Sequence, residues 1–155
     1  MTEERGLVRE ESADPPPARD LLLGVVAAHR TGQPLHPQLV ALGGRFVRVA
    51  TTAPLYRLLA LPGPGVARGG LLRVDGDTGH DGAGVEVEVH ALPLPALGSF
   101  VEVLPPPLAV GRIGLDDASW VVGMICTHRP PGAVDVTEYG SWPAYLAVAG
   151  GAGRP

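Results

Sequence analysis

The sequence contains no lysine, so all 12 of its basic residues are arginine. Without a lysine the chain cannot form a Schiff base, place a P-loop lysine on a nucleotide phosphate or build the serine–serine–lysine triad of an amidase. The 12 arginines face 16 acidic residues, which gives a net charge of −4, and they are scattered singly along the chain. No basic patch for nucleic acid is therefore predicted.

Cysteine is almost absent as well, because Cys126 stands alone inside the apolar run "WVVGMIC". A single cysteine allows no internal disulfide and no thiolate zinc cluster, and in an apolar run it behaves as a small buried hydrophobe. This usage is typical of a reducing compartment and predicts a cytoplasmic location. There is also no secretory apolar segment near the N-terminus and no run of roughly 18 apolar residues, so a soluble chain without membrane contact is predicted.

What is present is enough for one folded domain, since 45% of the 155 residues are hydrophobic. Residues 1–19 are charged and carry three consecutive prolines, Pro15, Pro16 and Pro17. That composition cannot bury enough apolar surface to order itself, which predicts a disordered tail. Residues 20–150 form the predicted domain.

The apolar patterns predict mostly strands. The run "LLLGVVA" is typical of a buried strand, and Leu35, Leu39 and Leu42 in "LHPQLVALGG" recur at helical spacing. Further predicted strands are "RFVRVATT", "LYRLLAL", "LLRVD" and "VEVEVHAL", followed by a short helix in "PALGSFVEVL", a hairpin of "LAVGRIGL" with "SWVVGMICT", and a closing helix in "VTEYGSWPAYLAVA". About six strands without regular strand–helix alternation predict an α+β fold, with a mixed, mostly antiparallel sheet that curls into a barrel around a pocket.

The clearest strand, "VEVEVHAL", alternates with period two. Its valines share one face, and Glu86, Glu88 and His90 share the other. Charges that alternate with valines indicate a solvated sheet face, and Glu88 is a weak candidate for an acid/base carboxylate.

His29 ends the first predicted strand and is followed by Arg30, a glycine turn and the first helix. A turn between a strand and a helix presents backbone N–H groups to an anion. A histidine there can transfer a proton near neutral pH, and Arg30 could bind a carboxylate. The alternative for His29 is a hydrogen-bonded histidine near the core, and the alternative for Arg30 is a solvated turn residue.

Tyr56 and Arg57 form a second candidate pair, because they lie inside the hydrophobic strand of "TTAPLYRLLAL". A strand arginine is costly to bury alone, so we expect Arg57 either to bind a carboxylate ligand beside His29 or to pair with Glu86 or Glu88. The histidines, including His80 in a Gly/Asp turn, lack the spacing of a zinc site. Neither a metal nor another cofactor is predicted.

Five stretches together resemble the C-terminal domain of allophanate hydrolase over about residues 21–147. They are "VVAAHRTGQPLHPQL", "ATTAPLYRLLALPG", "VEVEVHALP", "GSFVEVLPPPLAVGRIGL" and "VVGMICT" with "GAVDVTEYGSWPAYL". That domain is itself similar to the γ-glutamyl cyclotransferase-like fold, a small mixed barrel. The anion loop of that fold corresponds to residues 26–30 here.

The resemblance implies a decarboxylase. In allophanate hydrolases an amidase domain removes ammonia from allophanate, and the C-terminal domain removes CO₂ from the N-carboxycarbamate product. The histidine of that chemistry corresponds to His29. The substrate-binding candidates are Ala28, Arg30, His36, Thr52, Tyr56 and Arg57, of which His36 stands where the family commonly has asparagine. With no amidase domain of its own, the chain would act in trans with a separate amidase, as a monomer or a homodimer.

Two alternatives remain open. The chain could be a non-catalytic binding or dimerisation module for an amidase. It could also act on γ-glutamyl amides like a cyclotransferase, although the glutamate that those enzymes use has no counterpart in "FVEVLPPPL".

Overall fold

The structure is a computed structural model, and it describes residues 19–74 and 83–152. The strands are β1 (Asp20–Val25), β2 (Arg45–Thr51), β3 (Tyr56–Leu61), β4 (Arg68–Arg73), β5 (Glu86–Pro93), β6 (Leu108–Gly114), β7 (Trp120–Cys126) and the short β8 (Val134–Asp135). The helices are α1 (His36–Ala41), α2 (Leu97–Glu102) and α3 (Trp142–Ala152), with 3₁₀ turns at Leu94–Ala96 and Thr137–Tyr139. Each predicted strand and helix of the domain is therefore confirmed.

Two predictions fall partly or wholly outside the described residues. The predicted disordered tail covers residues 1–19, of which only Arg19 is described; its carbonyl accepts a hydrogen bond from the N–H of Leu94 at 2.9 Å. The Gly/Asp turn with His80 lies in residues 75–82, also outside the described chain.

The strands form one mixed sheet in the order β2-β5-β1-β7-β4-β3-β8, with β6 paired to β7. Neighbours pair antiparallel except that β7 runs parallel to both β1 and β4. The predicted α+β class with a mixed, mostly antiparallel sheet is confirmed. Strand pairing among the described residues leaves this sheet open between β2 and β8, and an isolated bridge joins Thr52 to Leu115.

The two faces of the sheet are covered differently. Val87 and Val89 of β5 pack in one core cluster with Ile113, Val121 and Trp142. A second cluster joins α1 and α2 to β1 and β7 through Leu39, Phe100, Leu23 and Met124. Within residues 19–74 and 83–152, the structure has no helix with the length and apolarity needed to cross a membrane.

The prediction of a solvated face on β5 is wrong. Glu88 and His90 are only 7% and 0% exposed. The segment between β1 and α1 lies over this face, since Thr31 donates hydrogen bonds to the Glu88 carboxylate. Alternation therefore predicted the strand, but a segment distant in sequence determines how much water reaches it.

Candidate functional site

The turn after β1 is held by its own backbone. The carbonyl of Ala27 accepts a hydrogen bond from the N–H of Arg30 at 3.1 Å, and that of Ala28 accepts one from Leu35 at 2.9 Å. Gly32 has a φ of 85°, a left-handed conformation that most other residues adopt only with strain. The chain thus reverses over the end of β1 and enters α1.

His29 is 1% exposed in this turn. Its Nε2 lies 3.0 Å from the side-chain oxygen of Gln38 on α1, and its ring meets Phe100 edge-on at 5.0 Å. Because an amide oxygen only accepts hydrogen bonds, Nε2 carries the proton and Nδ1 has a free lone pair. This Nδ1 is buried and has no hydrogen-bond partner in the described part of the chain.

The surroundings of His29 lower the pKa of its imidazole below the ordinary value of 6.5. Burial is the largest cause, since it disfavours the charged form. The hydrogen bond with Gln38 opposes it, while the charges of Arg68 and His36 lower the pKa further. His29 is accordingly neutral at pH 7.

The turn holds an anion that belongs to the protein itself, the carboxylate of Glu88. Its Oε1 accepts hydrogen bonds from the backbone N–H of Thr31 at 2.8 Å, the Thr31 hydroxyl at 3.0 Å and Nε2 of His90 at 3.0 Å. Burial by itself raises the pKa of Glu88, but these hydrogen bonds and the charge of Arg30 lower it below 4.5. Glu88 is therefore a stable carboxylate beneath the turn.

Arg30 completes this network. Its terminal nitrogen donates to Oε1 of Glu86 at 2.6 Å, and its Nε lies 3.8 Å from Oε2 of Glu88. The sequence predicted Glu86 or Glu88 as a partner of Arg57. In the structure these two carboxylates pair with Arg30. With two carboxylates beside it, Arg30 fixes the turn to β5.

Two further imidazoles and a phenyl ring lie beside the network. Nδ1 of His36 donates to the carbonyl oxygen of His29 at 3.1 Å. The His36 and His90 rings are 5.7 Å apart, and Phe46 of β2 meets His90 edge-on at 5.7 Å. His90 thus lies between β2 and the turn.

Three buried side-chain atoms in the described residues lack a hydrogen-bond partner, and all three belong to this cluster: Nδ1 of His29, Nε of Arg30 and Nδ1 of His90. Buried polar atoms are nearly always paired, so each exception calls for a cause such as a bound water or ligand. Their concentration around one turn makes this turn the candidate site for a small polar molecule.

The other predicted site residues contact different groups. Thr52 accepts a hydrogen bond from the N–H of Val85 at 3.0 Å, and the hydroxyl oxygen of Tyr56 accepts one from Gly114 at 2.8 Å. Nε of Arg57 lies 3.6 Å from the carboxylate of Asp135 on β8. Of the candidates, the structure therefore brings together Ala28, His29, Arg30, His36 and Glu88, and it places Thr52, Tyr56 and Arg57 in other contacts.

The sequence prediction missed the part of the site that comes from other elements. Gln38 could have been proposed as a partner of His29 from the sequence, because it lies only nine residues later, on the helix that follows the turn. His90 and Glu86 were visible as polar residues of β5, but their proximity to the turn follows only from the pairing of β1 with β5. Among the described residues, no group of three or more His, Cys, Asp or Glu side chains could hold a metal ion.

Comparison with known proteins supports one family. The sequence profile described as "Allophanate hydrolase C-terminal domain" matches residues 21–147, which is most of the chain. The chain belongs to the allophanate hydrolase C-terminal domain family.

Relatives of this family domain include far longer proteins. The urea amidolyase of Saccharomyces cerevisiae is 35% identical over 136 residues, which cover 85% of this chain and 7% of the yeast protein. A solved structure of Kluyveromyces lactis allophanate hydrolase superimposes with a TM-score of 0.78 at 34% identity, over 84% of this chain and 21% of that one. This chain therefore spans only a small part of those relatives.

A second solved structure has the length of the domain alone. It is a protein specific to uropathogenic E. coli, with a TM-score of 0.73 and 32% identity over 83% of this chain and 96% of that chain. An uncharacterized protein of Pyrococcus horikoshii has a TM-score of 0.61 at 14% identity, a likeness of fold alone.

Proposed function

We propose that this chain acts with a separate amidase and releases CO₂ from an N-carboxylated carbamate, the product that an allophanate-hydrolysing amidase would supply. The observation that carries the proposal is Nδ1 of His29, which is buried, unpartnered and, at pH 7, a free base. The membership of the chain in the allophanate hydrolase C-terminal domain family supports the choice of substrate class.

The reaction needs one proton and no redox partner. In N-carboxycarbamate, ⁻OOC–NH–COO⁻, one C–N bond breaks and its electron pair stays on nitrogen. The nitrogen takes up a proton, so the products are CO₂ and carbamate, H₂N–COO⁻. A single acid/base group close to that nitrogen is therefore sufficient to catalyse the reaction.

His29 has the properties of that group. Its Nε2 proton is fixed by Gln38, so a second proton on the imidazole binds at Nδ1 and is delivered from there. Since burial lowers the pKa of His29, its imidazolium gives up a proton more readily than a solvated one. A well-placed acid/base group of this kind contributes roughly 10²- to 10⁴-fold in rate.

Arg30 and Glu88 act as positioning residues in this proposal. The Arg30 guanidinium is paired with Glu86 and faces Glu88, so it does not offer a free positive charge to a substrate. The hydrogen bonds from Thr31 to Glu88 fix the turn two residues after His29. The network thereby orients the imidazole.

The test is a coupled assay in which a separate amidase converts allophanate and CO₂ release is measured with and without this chain. His29→Asn keeps a hydrogen-bonding side chain of similar size but removes titration near neutral pH. We expect the CO₂ release that depends on this chain to fall by roughly 10²-fold or more, with ammonia release unchanged. His128→Asn, at an exposed histidine beside Thr127, is the matched control and should keep the full rate. Full activity of the His29 variant would overturn the proposal.

A second candidate function, a non-catalytic module that binds the amidase, is favoured by strand β2. This strand ends the sheet order, and its Phe46, Val47 and Val49 are between 44% and 54% exposed. Exposed apolar residues on an edge strand are typical of protein contacts. In this case Val47→Asp should abolish co-elution with the amidase, whereas Val148→Asp, at a valine of α3 that is 52% exposed, should not. Co-elution that Val47→Asp leaves intact would refute a β2 interface.

A further inference from the structure

A cavity of about 380 Å³ lies next to the β3–β4 connection. One wall is formed by Pro62 and Pro64 of that connection, and another by residues 105–107, the three consecutive prolines after α2. Arg68, at the start of β4, also lines it. The volume falls in the range of small-molecule sites, which are mostly apolar with few polar groups.

Arg68 is a partly buried cation that has no counter-charge among the described residues. Arg30, Arg45 and Arg57 form ion pairs with Glu86, Asp20 and Asp135, respectively. By contrast, the guanidinium of Arg68 has no ion pair or hydrogen bond with any residue of the described chain. A guanidinium matches the geometry of a carboxylate, and apolar walls strengthen such a pair by excluding water.

The segment that includes α2 runs from the surroundings of His29 to the cavity wall. Phe100 of α2 contacts the His29 ring, and the same segment continues after five residues into Pro105 of the cavity wall. Between them, Leu104 packs against both the core cluster that contains Phe100 and the cluster that contains Leu108. The charge of Arg68 is also among the causes that lower the pKa of His29.

We propose that Arg68 binds the carboxylate of a small dicarboxylate in this proline-walled cavity. The chemical class of the ligand rests on the proposed function, because N-carboxycarbamate has two carboxylates on a single nitrogen. Arg68 holds one of these carboxylates. Arg68 thus supplies the unpaired positive charge that Arg30 does not.

Malonate is a suitable probe, because a carbon takes the place of the nitrogen between its two carboxylates. It therefore cannot lose CO₂ by the proton transfer to nitrogen that we propose for N-carboxycarbamate. Calorimetric titration of the full chain should show one malonate site, and Arg68→Gln should weaken binding about tenfold or more. Arg48→Gln, at an exposed arginine of β2, is the matched control and should leave the affinity unchanged. Thermal unfolding of each variant shows whether it is folded.

A second readout separates a binding role from a structural one. In NMR titrations of the His29 imidazole, Arg68→Gln should raise the pKa of His29, because a nearby positive charge is removed. Bound malonate should also raise this pKa in the unmodified chain, and Arg68→Gln should remove that effect. The absence of malonate binding, or equal binding by the Arg68→Gln variant, would overturn the inference.

The two proposals can fail separately. If malonate binds through Arg68 but the chain releases no CO₂, the anion site stands and the decarboxylase function is wrong. If the chain releases CO₂ and Arg68→Gln leaves kcat/KM unchanged, the function stands and Arg68 has no role in it. If both hold, Arg68→Gln should lower kcat/KM about tenfold or more.

Discussion

Oε1 of Glu88 accepts two hydrogen bonds from Thr31, one from its backbone N–H at 2.8 Å and one from its hydroxyl at 3.0 Å. The two residues are separated by 57 positions in the sequence. Through this contact β5 holds the turn that carries His29. The position of the imidazole therefore depends on a carboxylate that need not touch a substrate.

The first prediction concerns that carboxylate. Glu88→Gln removes the charge opposite Arg30, and while its amide oxygen accepts from Thr31 and His90 its NH₂ replaces the carboxylate oxygen that faces Nε of Arg30. Since removal of one partner from a buried charge network leaves the other uncompensated, we expect a loss of about 3 kcal/mol in the free energy of unfolding, measured by urea titration. Glu102→Gln, at an exposed position of α2, should change it by less than about 0.5 kcal/mol. Equal stability of the two variants would show that the network does not hold the turn.

The second prediction concerns the parallel contact of β1 with β7, where Gly24 pairs with Gly123. A Cβ at Gly123 would lie 2.4 Å from the carbonyl oxygen of Gly24, so Gly123→Ala requires the strands to move apart. We expect a loss of about 2–3 kcal/mol in urea unfolding.

Gly98→Ala is the matched control for that prediction. A Cβ at Gly98 would meet nothing within 4 Å, and Gly98 lies in helix α2, where alanine is favoured by about 0.5–1 kcal/mol. The two glycine-to-alanine changes should therefore shift stability in opposite directions. A stabilised Gly123→Ala variant would contradict the close packing of these strands.

The strands and helices were predictable because their signals are local. The alternation of "VEVEVHAL", the leucine spacing of α1 and the glycines that follow it are each read within a few residues. The candidates His29, Arg30 and His36 were found together for the same reason, since they lie within eight residues of one another.

The rest of the site depends on contacts between distant segments. Val25 pairs with Glu88, and this register alone places the carboxylates of β5 beneath the turn. An arginine in a strand and an arginine in a turn look equally suited to those carboxylates in the sequence, and the fold assigns Arg30 to them and Arg57 to Asp135. Arg68 has no local signal, because its cavity is completed by residues 105–107 and Pro130, which are distant from it in sequence.

The third prediction concerns Cys126, whose thiol is buried and has its pKa raised to about 11 by desolvation. At pH 8 only about one thiol in a thousand would be the reactive thiolate. The native chain should therefore resist iodoacetamide for hours, whereas the chain in urea should gain a single label, as measured by mass spectrometry. Because Cys126 is the only cysteine, the label reports unfolding directly. Rapid labelling of the native chain would contradict the burial of this thiol.

The last prediction is the pH dependence of stability. The pKa of His29 is lower in the folded chain than its ordinary value of 6.5, so the unfolded chain binds its proton at a higher pH. The stability that a neutral His29 contributes is then complete above pH 6.5 and is lost as the pH falls from 6.5 towards the folded pKa, by at most about 1.4 kcal/mol per pH unit. Glu88 acts in a lower window, because its folded pKa is below 4.5; its contribution is present above that pH and is lost below it. Urea midpoints at constant ionic strength should therefore fall in two stages as the pH is lowered.

His29→Asn should remove the first stage and keep the second, while His128→Asn should keep both. If His29→Asn leaves the slope between pH 6.5 and 4.5 unchanged, then His29 is not the buried neutral base that the proposed chemistry requires.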